Sequence, residues 1–226
     1  MKKLSFYFFS IMLLCAGLNT YAQGFEGQIS YKVEVKGENA ALMAMMMPNS
    51  IDIFVLGKDA LVRSNGGMTA SMLGDIITKG AEGLSYMVVH KKKTVYKMKP
   101  SENTSADAKP SVKEMGKEKI NGYNCTKYMV TFPKTDKGEF YQYMWCTTDI
   151  DVKKPQGGIG SSGKMFLAEV DGFPVKVDQY IVAQGMEINM EMVLDKISET
   201  KPDASMFEIP SKYKMEDFDE SKFGKM

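Results

Sequence analysis

The 226-residue chain contains a single histidine (His90), a single tryptophan (Trp145), a single arginine (Arg63) and three cysteines. One histidine cannot furnish a histidine pair or a multi-histidine zinc site, and a Ser-His-Asp triad would have to be built on it. His90 follows Val88-Val89 and precedes three lysines, the setting of a surface residue at a strand end. With 29 Lys+Arg against 28 Asp+Glu, the formal net charge is +1. So small a basic excess argues against a nucleic-acid partner, since phosphate backbones are gripped through clustered lysine and arginine. It argues equally against polybasic attachment to a membrane surface. Three cysteines are too few for a disulfide-framed scaffold. After residue 22 no apolar run approaches the ~20 residues of a membrane-spanning helix.

What is present begins with the marks of export. Lys2-Lys3, the apolar run Leu4–Leu18 and Thr20-Tyr21-Ala22 together have the pattern of a secretory signal. Residues 1–22 are therefore expected to be removed after Ala22, placing the protein in the periplasm or outside the cell. Cys15 follows Leu13-Leu14 and lacks the small preceding residue of a lipoprotein signal, so no acylation is expected. Removing these residues takes away two lysines and no acids, so the net charge falls from +1 to −1. Residues 23–213 suit a single domain with a real core, and 214–226 read as a charged tail that frays.

Along that domain, apolar and polar residues alternate as in half-buried antiparallel strands. Phe25–Lys36 places Ile29, Tyr31, Val33 and Val35 on one face and Gln28, Ser30, Lys32 and Glu34 on the other. Gly37–Asn49 holds a run of alanine, leucine and methionine stopped by Pro48, which reads as a short helix or a mobile apolar flap. Ser50–Leu56, Ala60–Ser64, Leu84–His90 and Thr94–Met98 read as strands, whereas Met68–Gly83 is ambiguous between helix and strand. The segments 100–111 and 151–164 read as flexible loops, and Lys164–Val170 as a short helix. Phe173–Val182 and Met186–Ser198 form a strong hairpin.

The stretch Glu118–Asp149 organises the rest. Two strand-like runs flank Pro133–Gly138, a string of turn formers. Pairing Phe132 with Glu139 sets Cys125 opposite Cys146 and predicts a disulfide in an oxidising compartment. The same register gathers Tyr128, Val130, Tyr141, Tyr143 and Trp145 on one apolar face, either as plain core or as the lining of a pocket mouth. A slip of one residue would put the cysteines on opposite faces and divide the aromatic set.

Two further patterns were weighed for chemistry. Gly158–Lys164 matches the GxxxxGK phosphate-loop spacing, but Met165 stands where a hydroxyl must bind magnesium, so the segment reads as a connector. Asp149 with Asp151, and Glu187 with Glu191, fall at loop or solvent positions. No catalytic residue, metal site or cofactor is assigned, and no enzymatic activity is expected. Methionine is the chief oddity: there are twenty, with Met43, Met45, Met46 and Met47 clustered. They can be adaptable core and flap, a deformable surface for an acyl chain or protein segment, or a soft Cu(I) site.

The export signal, the opening strand Phe25–Tyr31, Gly57-Lys58 ahead of Arg63, the segment Lys119–Cys125 and the closing Phe207–Tyr213 form a recurring pattern. On these residues the chain resembles a family of uncharacterised exported bacterial proteins related to the lipoprotein-carrier (LolA/LolB-like) half-barrel. The resemblance implies a curved antiparallel sheet with one or two short helices on its concave side, able to hold acyl chains. The expectation is thus a mainly β, α+β half-barrel that binds a hydrophobic or amphipathic ligand, such as a lipid chain or lipidated segment. The ligand would lie against Tyr128, Val130, Tyr141, Tyr143, Trp145 and the methionines 43 and 45–47. The alternative is an envelope structural or protein-interaction module with a fully packed core.

Overall fold

The computed structural model describes residues 25–37, 40–98, 110–134, 138–150, 167, 169–183 and 186–218. The expected export signal with Cys15, most of the segment 100–111 and the whole segment 151–164 with its GxxxxGK spacing lie outside these residues. Twelve strands form one open sheet in the order β12-β6-β5-β4-β3-β2-β1-β11-β10-β9-β8-β7. They are β1 (Gly27–Lys36), β2 (Ser50–Leu56), β3 (Asp59–Asn65), β4 (Asp75–Lys79), β5 (Leu84–Val89) and β6 (Thr94–Met98). Then follow β7 (Ser111–Ile120), β8 (Tyr123–Thr131), β9 (Glu139–Thr147), β10 (Phe173–Ala183), β11 (Met186–Ser198) and β12 (Lys214–Asp217). Two helices of about two turns each, α1 (Ala40–Met46) and α2 (Gly67–Leu73), join β1 to β2 and β3 to β4. The curved, mainly β architecture is the expected half-barrel. Register shifts at Ser30/Tyr31, Glu114/Gly116 and Pro174/Lys176 supply the bulges that bend such a sheet.

The inner face carries the main core. Ile29, Tyr31 and Val33 of β1 pack with Ile51, Ile53 and Val55 of β2, and with Val177 and Met192 across the sheet. Tyr31 is fully buried, and its hydroxyl donates to the carbonyl of Pro174 at 2.9 Å. The outer face of β1 and the adjoining ends of β2 and β3 is polar, with Asp52 accepting from Ser30 at 2.5 Å and from Asn65 at 2.8 Å. Further along, the outer face has a core of its own. Leu61, Ile77, Tyr86, Val88 and Val95 are covered by Phe207, Ile209 and Tyr213 as the chain runs on toward β12.

Three expectations need correction. Residues 214–217 do not fray: β12 pairs in parallel with β6, Lys214 opposite Thr94. Leu167, Glu169 and Val170 are not helical where described. The central hairpin takes the slipped register, with Cys125 opposite Thr147 and Cys146 opposite Thr126. The amide of Phe132 accordingly donates to the carbonyl of Phe140, not to that of Glu139.

Candidate functional site

The slip decides what β8 and β9 present to each face. Tyr128 lies across from Met144 and Val130 across from Gln142, on the inner face. Tyr141, Tyr143 and Trp145 point to the outer face, so the five residues do not share a surface. The two cysteines are buried on opposite faces, and no disulfide joins them. Burial pushes the Cys125 thiol up, with Asp149 and Glu118 adding to the shift and a backbone hydrogen bond opposing it.

On the outer face the β9 aromatics are already partnered. Tyr141 stacks on Tyr180 at 4.8 Å with rings 1° from parallel, and Tyr143 meets both edge-on. The indole N–H of Trp145 donates to Glu118 at 2.7 Å, and Lys127 and Lys176 each place an ammonium 4.6 Å from its ring centroid. The indole is 5% exposed, so this strip is chiefly a self-satisfied polar-aromatic surface. Beside it, Glu191 bonds Lys176 at 2.6 Å and Lys36 at 2.7 Å, which commits that carboxylate to ion pairs.

The inner face changes character along its length. It is closed around Tyr31 and Ile53, but toward the β1–β2, β8–β9 and β10–β11 connections its apolar side chains are only half covered. Val112, Phe132, Phe140, Ile181 and Met190 belong to this half-buried margin, whereas Tyr128, half-buried on the same face, turns toward the other end. Pairing of Val112 with Val130, Phe132 with Phe140, and Ile181 with Phe140 makes the margin continuous across β7–β10. Buried Gln142 and Gln179 face one another within it, the Gln179 amide donating at 3.2 Å to Gln142.

Helices α1 and α2 stand at this same end. Alternating strand directions bring the β1–β2, β3–β4, β5–β6 and β10–β11 connections to one edge of the sheet. The helices touch each other, α1 also touching β1 and α2 touching β3 and β5. Glycine is required where they meet: a Cβ on Gly67, at φ +65°, would strike the carbonyl of Met47. No side chain of α1 is buried; Met43 and Met47 are half-covered, whereas Leu42 is 61% and Met45 71% exposed.

The opposite end holds a cleft of about 480 Å³ with Lys117, Lys119, Cys125, Tyr128, Cys146, Asp149 and Asp171 among its walls. Asp149 accepts there from the backbone of Asn124 at 3.1 Å. Its charged lining does not suit an acyl chain. Among the described residues no three histidine, cysteine, aspartate or glutamate side chains converge as a metal site, and no helix is long and apolar enough to cross a membrane.

Comparison with solved structures finds similar sheets at low sequence identity. An uncharacterized conserved protein from Thermus thermophilus aligns at TM-score 0.49 and 6% identity, over 85% of this chain and 91% of its own. Lipoprotein LppX from Mycobacterium tuberculosis aligns at TM-score 0.37 and 13% identity, over 80% and 91%. A LolA superfamily protein from Nitrosomonas europaea aligns at TM-score 0.36 and 8% identity, over 84% and 92%. No curated protein matches the sequence. The model of a domain of unknown function, DUF4412, matches residues 25–213, and the chain belongs to that family.

Proposed function

We propose that this protein binds a hydrophobic or amphipathic ligand, such as a lipid chain or lipidated segment, on the inner face of its sheet. It does so in the cell envelope and without transforming the ligand. The observation that carries this reading is the half-covered apolar margin of Val112, Phe132, Phe140, Ile181 and Met190 beside two methionine-rich helices. Apolar surface left against water is a standing cost of about 25 cal/mol per Å², which a bound chain removes. Of the residues singled out in the sequence, Val130 supports the proposed surface from beneath, and Tyr128 shares its face but lines the cleft at the other end. Met43 in α1 and Met47 just after it are half-covered at the end where the margin lies. Tyr141, Tyr143 and Trp145 face away and are not included.

A packed interaction module remains the second reading, favoured by the solid core around Tyr31. Organic extraction of protein purified from its own cell envelope, followed by mass spectrometry, tests the proposal. A stoichiometric lipid or other apolar molecule in the extract is the expected result. Protein that yields none, and whose intact mass in native spray equals that of the polypeptide, contradicts it.

A further inference from the structure

The end of the sheet that carries α1 and α2 has a second property, independent of any ligand on the inner face. Six large apolar side chains are exposed on these two helices: Leu42 at 61%, Met45 at 71%, Met46 at 41%, Met68 at 58%, Met72 at 39% and Leu73 at 43%. Among the described residues only Met115 and Met215 are further exposed large apolar side chains. Beside α2, which packs on β5, lies the β5–β6 turn with Lys91, Lys92 and Lys93, all exposed. The segment that leads into β12 adds Lys212 and Lys214, tied to that turn by the Tyr213–His90 contact and by the Lys214 amide on the Lys93 carbonyl. Of the acids beside this turn, Asp75 pairs with Arg63 at 2.7 Å and His90 at 3.3 Å, and Glu216 with Lys214 at 2.7 Å; Glu34 and Glu187 are exposed farther along the same end. A chain of near-zero net charge thus sets a run of three lysines next to its most exposed apolar surface.

From this juxtaposition we infer that the α1–α2 end docks on an anionic lipid bilayer, methionine and leucine entering the headgroup region while the lysine turn meets the phosphates. Short unbranched thioether side chains adapt to a fluid surface, and lysine stems reach from an apolar contact to a charged one. Apolar burial and electrostatic attraction act together in such interfacial binding. A second copy of the chain is a poorer occupant, because pairing these ends would bring the lysine turns against one another. Docking in this orientation turns the half-covered inner margin toward the membrane.

Flotation of the purified protein with vesicles tests the inference. Binding is expected to phosphatidylcholine vesicles containing phosphatidylglycerol, to weaken as salt is added, and to be undetectable on phosphatidylcholine alone. Exchanging Lys91 and Lys93 for glutamate is expected to weaken it roughly tenfold or more. Met45→Ser with Met68→Ser is expected to do the same; both side chains are exposed, so the melting temperature should not move. No binding to either vesicle, equal binding to both, or unchanged binding by the serine variant overturns the inference. So does a dimer in sedimentation velocity that the serine variant dissolves. None of these outcomes depends on whether a ligand occupies the inner face.

Discussion

Cys125 and Cys146 sit one pair apart in the β8–β9 ladder, Cys125 across from Thr147 and Cys146 across from Thr126, and so face opposite sides of the sheet. Cys125 packs with Trp145 and Val175 on one side, Cys146 with the main core on the other. Both thiols are buried and neither is in a disulfide. Alkylation of the native protein at neutral pH should therefore be slow at both, the raised Cys125 thiol being further disfavoured as a thiolate. Unfolding should release two reactive thiols. A disulfide-linked Cys125–Cys146 peptide in a non-reducing digest would contradict this register.

The Tyr31 hydroxyl is the polar anchor of the main core, donating to the Pro174 carbonyl at 2.9 Å with no exposed surface. Burial, with Cys146 adding to it, holds its ionisation well above the usual phenol range. Tyr31→Phe keeps the ring and strands the carbonyl, so chemical denaturation should show a loss of about 1–2 kcal/mol. An unchanged midpoint would mean that the bond contributes nothing net.

Asp75 links β4 to β3 through a two-pronged bond with Arg63, at 3.0 and 2.7 Å, and to His90 at 3.3 Å. Burial raises its carboxyl, but Arg63 and then His90 outweigh it, so the net shift is downward. A carboxylate with a lowered folded pKa stabilises the fold above its unfolded value of about 3.9 and loses that contribution as pH falls through the folded value. Asp75→Asn should cost about 2 kcal/mol at neutral pH. That is less than for a fully buried pair, because the Arg63 side chain is 40% exposed and solvent-screened. Melting curves of both proteins should converge as the pH is lowered into the range where Asp75 is protonated. A constant gap down to that range would show that the ion pair is not the cause.

Helix α1 is seven residues long with none buried, too short to hold by its own hydrogen bonds. Hydrogen exchange should open Ala40–Met46 far sooner than Gly27–Lys36, whose strand is paired on both sides. Equal protection would contradict a helix that lies loosely over the sheet end.

Strands such as β1, β2 and β11 were legible because one face is apolar and the other wet, which leaves a single reading of the alternation. β9 was not so constrained. Phe140, Met144 and Cys146 give it one apolar face and Tyr141, Tyr143 and Trp145 another, so either register buries a hydrophobic set and loop length alone decided between them. That is why the candidate site divided: Tyr128 and Val130 inward, the β9 aromatics outward. β7 went unread because it is an edge strand, charged at Lys113, Glu114, Lys117, Glu118 and Lys119 and largely exposed. Its signal was Asn121-Gly122, both at positive φ, the two-residue turn that closes the β7–β8 hairpin. β12 joins β6 in parallel across more than a hundred residues, and no local pattern announces such a pairing. The lysine turn was visible as a sequence run, but only the strand order sets it beside α2.

Titration with a fluorescent fatty acid tests most directly whether the inner face binds an apolar chain. The folded protein should bind the probe saturably. Ile181→Thr with Met190→Gln on the inner margin should weaken binding about tenfold, from the apolar burial forgone. Tyr143→Thr on the outer face should leave binding unchanged. Absence of saturable binding by the folded protein, or equal loss from the inner and outer variants, would contradict the account.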